Sequence, residues 1–72
     1  MLTLEIRLNS GLISTIYIIN KGYVNGTLTD CIYDYELYEV GTGKELKRGK
    51  VVHDRKLGAL NLLKIICEDV ER

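Results

Sequence analysis

The chain contains no Phe and no Trp, so its five tyrosines are the only aromatic side chains available for packing or stacking. It also lacks Pro, and its turns have to be read from Gly, Asn and Asp instead. Net charge is missing as well. Ten basic and ten acidic side chains cancel, which argues against binding nucleic acid or an anionic membrane by bulk charge. Cysteine is sparse, and Cys31 and Cys67 fit no close-spaced metal or redox motif. The N-terminus alternates charged and apolar residues with no long apolar run, so neither a signal peptide nor a membrane span is expected. A reduced, cytoplasmic protein follows as the default. No linker, repeat or low-complexity segment interrupts the sequence, which reads as a single small domain over residues 1–72.

What is present is alternation. Leu2, Leu4, Ile6 and Leu8 alternate with Thr3, Glu5, Arg7 and Asn9, the pattern of a half-buried strand. Asn9-Ser10-Gly11 is a turn cluster, and a three-residue loop there sets Leu8 opposite Leu12, Ile6 opposite Ser14 and Leu4 opposite Ile16. The second strand, about Leu12 to Tyr23, is apolar on both faces. Asn25-Gly26 is the strongest hairpin signal, and a two-residue type I′ turn predicts Lys21 opposite Asp30, Ile18 opposite Tyr33 and Ile16 opposite Tyr35.

The third strand, about Thr27 to Val40, places its odd residues inward. Gly41-Thr42-Gly43 then closes a further hairpin with Glu36 opposite Arg48, Asp34 opposite Lys50, Tyr33 opposite Val51 and Tyr35 opposite Gly49. Two ion pairs and a tyrosine lying over a glycine favour this register. Lys47 faces inward on the fourth strand, about Glu45 to Val52, as a snorkelling edge residue. Asp54 reads as an N-cap before a helix ending near Val70, with Ala59, Leu60, Leu63, Ile66, Cys67 and Val70 on its core face. Gly58 early in that helix suggests close approach to the sheet. The fold class is α+β: a four-stranded antiparallel meander in the order 1-2-3-4 with one C-terminal helix on one face.

No chemistry-bearing constellation is complete. Cys31 and His53 fall opposite each other, but no orienting acid or oxyanion loop accompanies them, and they read as a buried thiol beside a strand-end histidine. Adding Cys67 gives three soft ligands with no paired spacing, and both cysteines read as core residues. Asp34 and Glu36 share a face, where Lys50 and Arg48 would hold them ionised and unsuited to general acid work. Gly41-Thr-Gly-Lys44 lacks P-loop spacing and reads as a turn. Neither a catalytic residue, a metal nor a cofactor is expected, and the chain is read as a non-enzyme.

The face away from the helix is less polar than a solvated sheet face. It carries Ile13, Tyr17, Ile19, Ile32, Tyr38, Leu46 and Val52 among Glu5, Arg7, Thr15, Asp34, Glu36, Arg48 and Lys50. An apolar patch rimmed by both charge signs points to an interface, most economically a two-fold homodimer, with another protein partner as a variant.

The alternative is nucleic-acid binding through the segment 44–56, where six basic side chains face two acidic ones and Lys47, Arg48, Lys50, Arg55 and Lys56 would touch phosphate. The stretch Gly49-Lys-Val-Val-His53-Asp-Arg55-Lys56-Leu-Gly-Ala59, leading from a strand into a helix, resembles the C-terminal half of a double-stranded-RNA-binding domain. The resemblance covers about the last third of the chain and implies that Arg55 and Lys56 contact phosphates across a groove. That family's N-terminal helix has no counterpart here.

Overall fold

The computed structural model describes residues 1–72. Strands β1 (Leu2–Arg7), β2 (Ile13–Tyr23), β3 (Asp30–Glu39) and β4 (Glu45–Asp54) form one antiparallel sheet in the order 1-2-3-4. A 3₁₀ turn, Arg55–Leu57, leads into helix α1 (Gly58–Val70). This is the ββββα arrangement that the alternation and turn chemistry predict.

Two of the three registers are as expected. Leu4 pairs with Ile16 and Ile6 with Ser14, closed by a loop in which the Gly11 amide donates to the Leu8 carbonyl at 2.8 Å. Glu36 pairs with Arg48, Asp34 with Lys50, Tyr35 with Gly49 and Cys31 with His53. Close to the turn, one extra residue on β4 shifts the ladder, so that Tyr38 faces Glu45.

The β2–β3 register corrects the expectation. Ile18 faces Tyr35 and Ile16 faces Leu37, two residues from the pairing set by a type I′ turn. Gly26 has φ +86° but Asn25 does not have positive φ, so the type I′ geometry is not adopted. A wider loop forms instead, with the Thr27 amide donating to Val24 at 3.1 Å and the Val24 amide to Asp30 at 2.8 Å. Lys21 does not face Asp30. Asn20 Oδ1 accepts from the Gly22 amide at 2.7 Å, the ladder is interrupted between Asn20 and Gly22, and Asp30 stands opposite Asp54. A slip of two preserves facing in a structure whose side chains alternate with period two. As far as Asn20 the core-facing residues are therefore still those expected. Beyond the interruption the offset becomes three residues and the facing reverses, so Tyr23 stands opposite Cys31 on the helix side and not opposite Leu28.

The core is built from Ile16, Ile18, Tyr35, Leu37, Leu62, Ile66 and Val70, flanked by Leu4, Ile6, Leu8, Tyr33, Val51, Leu63 and Ile65. Tyr35 is fully buried. A Cβ at Gly49 would lie 2.6 Å from the Tyr35 ring and hydroxyl, so glycine is the residue that admits the ring. The Tyr35 hydroxyl donates to Asp69 Oδ2 at 2.5 Å, tying the sheet to the end of α1. Lys47 does face inward, and its Nζ donates to the Asp69 carbonyl at 2.7 Å and the Val70 carbonyl at 3.4 Å. It thereby satisfies carbonyls that a helix C-terminus leaves open and places a cation at the negative end of the helix dipole.

The helix is rotated from the expected facing. Leu62, Ile66 and Val70 are its buried residues, while Ala59, Leu60 and Cys67 are exposed. Leu60 and Cys67 lie towards the outer side because Asp69, counted with neither face by periodicity, is turned inward by Tyr35. Asp54 does cap, accepting from the Lys56 amide at 2.9 Å, but it caps the 3₁₀ turn rather than α1 itself. Gly58 is explained by its φ of +82° at the junction, since a Cβ there would meet nothing within 4 Å. Close approach to the sheet is not its role.

Gly49→Ala is expected to destabilise the fold by about 1–3 kcal/mol through overpacking against Tyr35, read as a lower urea midpoint at unchanged m-value. Burial, and then the hydrogen bond to Asp69, raise the Tyr35 pKa well above its ordinary value. The folded state therefore favours the protonated hydroxyl. Its contribution is fully present below about pH 10, the unfolded tyrosine value, and is lost as pH rises further. Equilibrium unfolding between pH 8 and 11.5 is expected to show a steeper alkaline loss of stability for the wild type than for Tyr35→Phe.

Candidate interaction surface

The sheet face opposite α1 is assembled from the odd residues of β2 as far as Ile19, from Gly22 beyond the interruption, and from the even residues of β3, joined by Arg48 and Lys50 of β4. Its rows follow from the ladder. Thr3, Tyr17, Glu36 and Arg48 lie across the sheet in one row, Ile19, Asp34 and Lys50 in the next, and Gly22, Ile32 and Val52 beyond them. Tyr17 and Tyr38 pack edge to face, with centroids 5.6 Å apart and planes at 73°, a favourable aromatic geometry.

The expected surface residues fall into separate places. Tyr17, Ile19 and Tyr38 line an open groove of about 580 Å³ together with Met1, Val40 and the acidic Glu36 and Glu39. Ile32 and Val52 pair with each other past the Asp34–Lys50 row, and Ile13 lies at the opposite end beside Arg7. Leu46 falls at the interruption of the β3–β4 ladder and is exposed, as is Val52. Met1 and Val40 were not among the residues expected here. The period-two pattern was a usable signal for Met1, since Thr3 faces Tyr17 and Met1 is two residues earlier. Val40 comes from a turn whose path the alternation does not encode.

The two cross-strand ion pairs are not formed. Arg48 Nε instead donates to Glu45 Oε1 at 2.5 Å, a partner three residues away that the shifted ladder carries near it. That contact raises the Arg48 pKa and lowers that of Glu45. Glu36 Oε1 accepts from the Tyr38 hydroxyl at 2.7 Å, and this hydrogen bond is the main cause of the raised Tyr38 pKa. Asp34 Oδ1 is buried without a hydrogen-bond partner. Partners two or three residues away have replaced the cross-strand ones for Glu36 and Arg48, while Asp34 and Lys50 form no ion pair.

The basic segment does not form one patch. Lys47 is turned to the helix side and occupied by the carbonyls at the end of α1, while Arg48 and Lys50 are on the opposite face. Arg55 is drawn onto Tyr23, with its guanidinium 5.6 Å from the ring centroid and Nη1 donating to the hydroxyl. Of the five residues, Lys50 and Lys56 are exposed and have no hydrogen bond or ion pair from the side chain.

Cys31 and His53 are indeed cross-strand neighbours, and both are buried. Neither His53 ring nitrogen has a hydrogen-bond partner, so the thiol–imidazole contact of a nucleophile and its base is not made. Cys67 is exposed on α1, which corrects its reading as a core residue and separates it from the other two. No group of three or more His, Cys, Asp or Glu side chains is placed to hold a metal ion. The Gly41–Lys44 segment is a hairpin turn, with the Gly43 amide donating to Glu39 at 2.8 Å. No helix is long and apolar enough to cross a membrane.

With the basic side chains so divided, a 16-base-pair RNA duplex in low salt is expected to show no saturable binding by fluorescence anisotropy. Saturable binding that disappears in Arg55→Glu/Lys56→Glu would reinstate the phosphate-contact reading of that segment. Comparison with known protein families, with curated proteins and with solved structures finds no match for the chain.

Proposed function

We propose that the protein is a small non-enzymatic interaction module that self-associates through the open face of its sheet. The observation that carries this reading is the groove lined by Tyr17, Ile19 and Tyr38 on a face that no element of the chain covers. The helix protects one face of a four-stranded sheet, and the other retains large apolar and aromatic side chains where an isolated sheet would carry polar ones. Tyrosines are well suited to such a surface because they bury a large apolar area while keeping a polar handle.

A second copy is the partner that the charges fit. Glu5, Asp34 and Glu36 share this face with Arg7, Arg48 and Lys50, so acids and bases are balanced within it. Under a two-fold axis, each patch meets its own complement. A strongly acidic or basic partner would find half of these charges opposed.

Light scattering over a hundredfold range of protein concentration tests the reading. Twice the chain mass at the upper end is expected, with Tyr38→Glu reduced to the monomer while its far-ultraviolet circular dichroism is unchanged. A monomer throughout the range, or a folded Tyr38→Glu variant that still dimerises, overturns it.

A further inference from the structure

Cys31 and His53 lie under the helix side of the sheet, away from the open face. They form a directly opposed cross-strand pair. Cys31 is 2% exposed and His53 is 4% exposed. Both ring nitrogens of His53 are without a hydrogen-bond partner, and its ring meets Tyr33 edge to face at 6.2 Å. Buried imidazole nitrogens are normally held by a carbonyl, carboxylate, water or metal, and a buried polar group with none of these calls for a specific explanation.

We propose that Cys31 and His53 together bind a soft monovalent metal ion of the Cu(I) class. Thiolate and neutral imidazole are the donors such an ion selects. The donor count agrees, because no third ligating side chain joins the pair and a structural zinc ion requires four. A closed-shell monovalent ion accepts two donors in a near-linear arrangement. Opposed residues on antiparallel strands have Cβ atoms about 4.5–5.5 Å apart. On the scale of zinc's bonds, about 2.3 Å to sulfur and about 2.0 Å to nitrogen, donors on residues so spaced can reach one ion between them.

The charge argument is more selective. On binding, the Cys31 thiol loses its proton to solvent, sulfur bonds to the ion, and the imidazole donates a lone pair with no change in oxidation state. A monovalent ion with one thiolate is neutral and can remain buried. A divalent ion with the same donors would leave an uncompensated charge in the interior. Cys31 is the second residue of β3 and His53 the penultimate residue of β4, so fraying at that end of the sheet provides entry without unfolding the core.

The test uses Cys67→Ser protein, reduced and free of chloride, titrated with Ag(I) as a redox-inert probe and with Cu(I) in competition with a chromogenic chelator. One ion bound per chain, one proton released per ion and a raised unfolding midpoint are expected. Cys31→Ser is expected to lose binding, and His53→Gln to weaken it at least a hundredfold. Because His53 is the only histidine, its ring ¹⁵N resonances in the Cys67→Ser protein report coordination even if those variants fail to fold. A shift of one ring nitrogen as Ag(I) binds supports the site. Unmoved resonances, equal affinity in a folded His53→Gln variant, or binding seen only when Cys67 is present overturns it.

Discussion

Tyr35 lies where β3, the edge strand β4 and the helix meet, and its contacts set the relation among all three. Its ring occupies the space left by Gly49, and its hydroxyl ends on Asp69. A fully buried phenol needs a partner for its polar end, and meeting that need fixes the rotation of α1 about its own axis. Lys47 reinforces the same end through the helix carbonyls, and Glu71 accepts from the Asn9 amide at 2.8 Å, linking the helix to the first hairpin. The C-terminal end of the helix is thus held by polar contacts with specific direction, and Leu62 and Ile66 supply apolar burial along its length.

This arrangement has consequences on both sides of the sheet. With the only helix committed to one face, Tyr17, Ile19 and Tyr38 remain on the other with no intrachain cover. Glu36 lines the same groove with its carboxylate held by the Tyr38 hydroxyl, and Arg48 is turned to Glu45. On the helix side, the polar tethers are concentrated near Asp69. Cys31 and His53 lie near the opposite end, beside the β2–β3 loop and the 3₁₀ turn. The proposed interface and the proposed metal site are therefore on different faces and do not depend on each other.

The legible parts of the fold were those where local chemistry and facing agreed. Asn9-Ser10-Gly11 fixed the first hairpin because a glycine at the end of a three-residue loop leaves one sensible pairing. Tyr35 over Gly49 fixed the third because only that register gave the ring a place. The middle hairpin was less determinate, since Asn25-Gly26 accommodates more than one turn and the Asn20–Gly22 contact diverts the strand before it arrives there. The difference was two residues as far as Asn20, so the facing survived there, and three beyond it, where Tyr23 changed sides. Of the candidate surface, Tyr17, Ile19 and Tyr38 were legible from alternation. The cross-strand ion pair of Glu36 and Arg48 was not obtained because each took a partner two or three residues away, and Asp34 and Lys50, though opposed, form no ion pair.

Sequence alone determined the strand order, the two faces of the sheet and the opposition of Cys31 and His53, all of which follow from period-two alternation and short turns. It did not determine the facing of the helix. Leu57, Leu60, Leu62, Leu63, Ile65, Ile66 and Val70 leave almost every direction partly apolar, and hydrophobicity alone scarcely distinguishes them. Tertiary structure made that choice through the bond between Tyr35 and Asp69, a contact across 34 residues. A directional hydrogen bond to a buried group outweighs small differences in apolar area, and it buried Leu62 while leaving Leu60 in solvent.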